Sequence, residues 1–172
     1  VPGPSNVPAA VQQAIHCPME DHRNPTIPDL IQPITEDLKK ILLTKDGKVV
    51  FFPSSGTGCW EAALQSTLNV GDKVLGASFG QFSMLWLDMC KRLKFEPITM
   101  EEEWGTGANP ESYHKHLSED KNHEIKAVLV CQNETATGVR SDVAAIRKIL
   151  DDLNHPALLM VDGVSSVASY EF

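Results

Sequence analysis

Positive charge is scarce in this sequence: 15 lysines and arginines stand against 23 aspartates and glutamates, a formal net charge of −8. Neutralising nucleic-acid phosphates or an anionic bilayer takes clustered cations, so the balance points away from both and toward a small-molecule ligand. No apolar run approaches the roughly 20 residues that span a bilayer. The opening Val1–Pro8 also lacks the basic-then-apolar layout of a secretory leader. These absences predict a soluble, intracellular protein with no membrane partner. Low-complexity tracts and internal repeats are missing as well, which argues against disorder and against a solenoid. Cys17, Cys59, Cys90 and Cys131 are widely spaced, without the paired spacing of a metal site. They read as reduced structural thiols, mostly buried in apolar or helical stretches.

What is present fits one ordinary domain. The 172 residues are 42% hydrophobic and 22% charged, and a compact chain of that length buries roughly 70% of its unfolded surface. The first residue is Val1 and the last three are Tyr170-Glu171-Phe172, with no cap or tail; both ends read as cuts. Prolines in Val1-Pro2-Gly3-Pro4-Ser5-Asn6-Val7-Pro8 exclude a helix or a central strand there, so residues 1–27 are expected to begin as an extended arm. From Pro28 to Leu43, Leu30, Ile31, Ile34, Leu38, Ile41 and Leu42 recur at three- and four-residue steps, the period of an amphipathic helix.

Beyond it, short apolar runs alternate with helical periods. Strands are predicted at 49–52, 73–76, 95–98, 127–130 and 157–161, each with little polar alternation, as in strands covered on both faces. Helices are predicted at about 58–68, 81–93, 110–117 and 142–153. Such alternation gives an α/β fold, a mostly parallel sheet sandwiched by helices across residues 28–172. Ligands of these sheets gather at the carboxyl ends of the strands, so the junctions there are the candidate sites.

Four junctions carry polar groups. Pro53-Ser54-Ser55-Gly56-Thr57-Gly58 offers hydroxyls and amides at a helix start, suited to an anion, although a plain strand-to-helix turn has the same composition. It is neither a Walker loop nor a three-glycine dinucleotide turn. Asp162 ends the apolar run Leu158-Leu159-Met160-Val161 and either caps local amides or pairs with a cationic ligand nitrogen. Gln132-Asn133-Glu134-Thr135-Ala136-Thr137-Gly138 is a polar loop after a strand. Phe82, in Gly80-Gln81-Phe82-Ser83, is core or a stacking platform. His22 and Arg23 read as surface or interface groups.

Taken together, these segments resemble class V pyridoxal-phosphate-dependent aminotransferases of the serine–glyoxylate and alanine–glyoxylate kind, in particular their plant-like branch. The likeness rests on the Pro-Gly-Pro-Ser-Asn-Val-Pro opening, Asp21-His22-Arg23, Ser55-Gly56-Thr57-Gly58-Cys59-Trp60-Glu61-Ala62-Ala63-Leu64, Gly80-Gln81-Phe82-Ser83, Asn133 to Val139 and His155 to Ser166. It implies the front part of the large domain of a fold-type I enzyme. By that likeness Ser55, Gly56 and Thr57 hold the coenzyme phosphate, Phe82 stacks on the pyridine ring and Thr135 bonds near the ring hydroxyl. Asp162 pairs with the ring nitrogen as the catalytic group. Some relatives carry Trp where Phe82 stands.

The resemblance further implies pyridoxal 5'-phosphate as cofactor, small amino-acid and 2-oxo-acid substrates, a homodimer crossed by the N-terminal arm, and a peroxisomal home. The family's coenzyme-binding lysine lies on a later strand and its substrate-binding arginine in a C-terminal domain; no lysine follows Asp162 here. The chain is therefore expected to stop before the covalent lysine and to be inactive alone. The rival readings are a nucleotide-dependent oxidoreductase, a non-catalytic interaction protein on the same half-domain, and a cysteine desulfurase or other amino-acid lyase.

Overall fold

A computed structural model describes residues 3 and 5–169. Val1, Pro2 and Pro4 of the expected arm, and the terminal Tyr170-Glu171-Phe172, lie outside the described residues. By its contacts the chain divides into two compact units, Val1–Phe51 and Phe52–Phe172.

In the first unit, Gly3 and residues 5–8 have neither helix nor strand, and α1 (Ala9–Ile15) follows. The amphipathic period is realised as α2 (Ile27–Ile41), with Pro28 in the first turn and Pro33 inside the helix. No described residue of either helix is buried, and His22 and Arg23 are solvent-exposed beside Asp21.

The second unit holds a four-stranded parallel sheet, β1 (Lys73–Ser78), β2 (Glu96–Glu101), β3 (Ile125–Cys131) and β6 (Leu158–Asp162), in the order β2-β1-β3-β6. The helices α3 (Gly56–Thr67), α4 (Gln81–Arg92), α5 (Pro110–Glu119) and α6 (Val143–Asp152) alternate with the strands. A small antiparallel pair, β4 (Asn133–Glu134) and β5 (Val139–Arg140), follows β3. One predicted strand is corrected. Val49–Phe52 pairs with nothing among the described strands, and Val50 is 80% exposed. Its β-branched and aromatic residues supply propensity, but a strand exists only where a neighbour completes its ladder.

Adjacent residues of the central strands feed opposite faces. Leu75, Val128 and Val130 join a cluster with Tyr113, Leu117, Ile146 and Leu150. Val74, Ala127 and Leu129 join another with Trp60, Leu64, Trp86 and Leu87. Both faces are thus apolar, which is why the strands lack polar alternation. Each fully buried aliphatic side chain contributes about 1.5–3 kcal/mol. Two of the cysteines, Cys90 and Cys131, are buried here, whereas Cys17 and Cys59 are exposed, against the expectation of mostly buried thiols; all four are free.

The sheet also contains a break. β1 pairs with β2 on one side as far as Ser78, but its register with β3 ends at Gly76 and Leu129. Beyond that point the fully buried Tyr113 stands between the strands. Its hydroxyl accepts from the Ala77 N–H at 3.2 Å and donates to the Leu129 carbonyl at 2.9 Å. Burial pushes this phenol far up, so it stays a donor. β2 and β3 lie on opposite sides of β1, so the chain reverses direction across the sheet between β1 and β3, the position where open parallel sheets bind ligands.

Candidate active site

The start of α3 and the carboxyl end of β6 meet at one crevice, with the end of β3 beside Asp162. Asp162, the last residue of β6, stands opposite Cys131 in the register with β3. Its Oδ1 accepts from the Val164 N–H at 2.9 Å and its Oδ2 from the Trp60 Nε1–H at 3.1 Å. The Cys131 thiol approaches Oδ2 at 3.6 Å. Burial, then the charges of Asp162 and Glu134, push that thiol well above the ordinary range, so it remains an S–H donor.

Trp60 lies in α3, one turn after the Ser55-Gly56-Thr57 segment. Ser55 caps the helix in extended conformation without using its hydroxyl on the helix. Gly56 has a definite reason to be glycine: a Cβ there would come within 2.6 Å of Val164 Cγ2. The missing side chain lets the helix start close against the residues just after Asp162. A crevice of about 360 Å³ is lined by Gly56, Cys59, Trp60, Trp86, Asp162 and Gly163 among others. Thr57 and Ser55 are exposed beside it.

Phe82, the second residue of α4, is 37% exposed, and its ring meets Trp60 edge-on at 6.5 Å and 71°. It is therefore neither buried core nor remote from the site. Its backbone is held by Glu134, which is fully buried. The Glu134 carboxylate accepts from the Phe82 N–H at 3.1 and 3.2 Å, the Ser83 N–H at 3.0 Å and the Ala136 N–H at 3.2 Å. A buried carboxylate at a helix N-terminus satisfies unpaired amides and meets the positive end of the dipole. Next to it, Thr135 donates to Ser165 Oγ at 2.9 Å, and Ser165 donates to the Asn133 carbonyl at 3.0 Å. The loop after β3 is thereby tied to the turn after Asp162.

Of the six residues singled out from sequence, Gly56 and Asp162 line the crevice and Ser55 and Thr57 adjoin Gly56 as exposed residues; Phe82 meets Trp60 edge-on, and Thr135 bonds Ser165 in the turn after Asp162. Sequence reasoning gave no role to Trp60, Glu134, Cys131 or Ser165. The available signal for Glu134 was a carboxylate three residues beyond an apolar strand, in a loop that otherwise looked solvated. A larger hollow of about 660 Å³, lined by Gln132, Ser141, Asp142, Arg147 and Leu159 among others, takes in none of the six. The smaller crevice is the better candidate because helix-start amides, an aromatic face and a held carboxylate converge on it.

Known proteins resemble this chain over nearly its whole length. A family model described as Aminotransferase class-V matches residues 9–172. Serine–glyoxylate aminotransferase of Hyphomicrobium methylovorum is 60% identical over 99% of this chain and 42% of its own length. L-aspartate–glyoxylate aminotransferase of Paracoccus denitrificans is 48% identical over 100% of this chain and 43% of its own. The crystal structure of ureidoglycine–glyoxylate aminotransferase from Bacillus subtilis superposes with a TM-score of 0.90 at 26% identity, covering 99% of this chain and 43% of that one. The chain thus spans less than half the length of these relatives. With a model that matches nearly all of it and relatives this similar, the chain belongs to the class-V aminotransferase family.

Proposed function

We propose that this chain forms the coenzyme-cradling part of an aminotransferase that moves the amino group of L-serine or L-alanine to glyoxylate with pyridoxal 5'-phosphate. The observation that carries this reading is the close approach of the α3 start to Asp162, which Gly56 makes possible. In this reading the helix start at Gly56 serves as the anion site and Asp162 as the acceptor, both lining one crevice. The fit is chemical as well as spatial. The coenzyme needs amides and hydroxyls for a phosphate, an apolar face for a ring and an acceptor for a protonated ring nitrogen; the crevice is lined by the helix start at Gly56, the Trp60 and Trp86 rings and Asp162, with Ser55 and Thr57 adjoining Gly56. When bound, pyridoxal phosphate supplies a conjugated ring that takes up the electron pair left when an amino acid loses its α-proton.

In this reading Ser55, Gly56 and Thr57 hold the phosphate at the positive end of α3, and Phe82 covers one ring face. Thr135 bonds the ring hydroxyl, and Asp162 keeps the proton on the ring nitrogen. Each pKa unit by which Asp162 raises that nitrogen favours the protonated form by about 1.4 kcal/mol. The glyoxylate-linked names of the relatives support the acceptor, and the serine-linked name supports the donor. The proposal includes a homodimer crossed by the N-terminal residues, which sedimentation of the full-length protein tests. It also includes a peroxisomal home wherever the source is a plant-like eukaryote, which a fluorescent fusion tests. Among the described residues no helix is long and apolar enough to cross a membrane.

The decisive experiment is a titration of the full-length gene product with pyridoxal phosphate, followed in the visible absorption band before and after L-serine. A coenzyme band that changes on adding serine, with glyoxylate consumed stoichiometrically, is the expected result. Binding of NAD(P) with no affinity for pyridoxal phosphate would overturn the reading.

A further inference from the structure

We propose that Trp60 is a positioning residue for Asp162: its indole N–H locks the carboxylate in the plane that faces the ring nitrogen. This inference rests on the role of Asp162 given above and adds a residue to it. An indole N–H can only donate, and leaving it buried without an acceptor costs free energy. Trp60 is 6% exposed and spends its donor on Asp162 Oδ2 at 3.1 Å. The Val164 N–H occupies Oδ1 at 2.9 Å, so each oxygen of the carboxylate has a fixed donor and the group cannot rotate freely.

The neighbouring indole shows that packing alone does not demand such a contact. Trp86 stacks on Trp60 at 5.3 Å and 11°, in the same apolar cluster, yet its Nε1–H is buried with no partner among the described residues. Of two stacked indoles, one is aimed at the carboxylate and the other is not. Trp60 also stands one turn beyond Gly56 and Thr57 on the same helix. The helix whose start is to hold the phosphate therefore carries the donor that orients Asp162, which makes the two ends of the coenzyme site one rigid piece.

A double-mutant cycle on the full-length protein tests this, read by coenzyme dissociation constants and by the 15N signal of ring-labelled pyridoxal phosphate. Trp60→Phe keeps an aromatic ring and removes the N–H. It is expected to weaken coenzyme binding about tenfold, equivalent to about 1.4 kcal/mol, and to shift the ring-nitrogen signal. In an Asp162→Asn background the same change should cost less than about twofold, because the charged acceptor is already gone. An equal loss in both backgrounds, with no change in the nitrogen signal, would assign Trp60 to packing and overturn the inference while leaving Asp162 in place. If Asp162→Asn itself changes neither affinity nor signal, the role of Asp162 fails and this inference with it. Should Trp60→Phe not fold, benzothienylalanine at position 60, which replaces only the N–H by sulfur, decides by the same readouts.

Discussion

The carboxylate of Glu134 caps the helix that carries Phe82, through 3.1 and 3.2 Å bonds to the Phe82 N–H across 52 residues of sequence. The loop after β3 thus fixes the aromatic after β1. Glu134→Gln keeps the shape but removes the charge and turns an amide donor toward other donors. Charge-assisted bonds of this kind are worth about 1.5–3 kcal/mol. A loss of that size is expected in denaturant unfolding, together with weaker coenzyme binding as Phe82 loosens.

Gly80 makes room for this cap. A Cβ at position 80 would fall 2.2 Å from Glu134 Cγ, and its φ of 177° is extended backbone open to any residue, so the constraint is space alone. Gly80→Ala is expected to destabilise by about 1–3 kcal/mol, the usual range for overpacking. Pairing it with the shorter Glu134→Asp should recover part of the loss, measured by urea midpoints of the two single variants and the double.

Asp162→Asn removes the charge and leaves one oxygen, which serves either the Val164 or the Trp60 donor but not both. The fold should survive with a small change in melting temperature. Losing one bond to a charged partner predicts a fall of about 10- to 100-fold in kcat/KM of the full-length enzyme. An unchanged kcat/KM would remove Asp162 from the reaction.

Asp120 predicts a pH effect away from the crevice. Burial raises its pKa, but the N–H groups of Ile125 and Glu124 and the His155 ring outweigh burial, and the net direction is below the ordinary 3.8. The unfolded chain therefore binds this proton more tightly than the folded one. The stability so gained is complete above the ordinary value and disappears as pH falls through the lower, folded value. Asp120→Asn should flatten the acid limb of a plot of urea midpoint against pH, measured from about pH 5 to about pH 2.

Most of the sheet was legible in the sequence because its central strands are apolar on both faces and its helices keep a clean 3.6-residue period. β1, β2, β3 and β6 each contain or overlap the predicted run, and α4 starts at the predicted Gln81. Val49–Phe52 was misread because apolar composition cannot report whether a neighbouring strand is there to pair. The family likeness and the candidate residues were legible as ordered motifs around strand ends. The roles of Trp60 and Glu134 were not, since each depends on a partner 102 or about 50 residues away. A tryptophan inside a helix reads as core, and a glutamate in a polar loop reads as solvated, until the strand order brings β1, β3 and β6 side by side.

Tyr113 gives that arrangement a further property. Its phenol takes over the Ala77 amide and the Leu129 carbonyl that two zipped strands would otherwise spend on each other. The gap at the mouth of the sheet is consequently a permanent feature of the folded chain, with its polar edges already quenched. The crevice lined by Gly56, Trp60 and Asp162 includes none of these groups, so the gap belongs to the frame, and its backbone polar atoms are satisfied whether or not a ligand occupies the crevice.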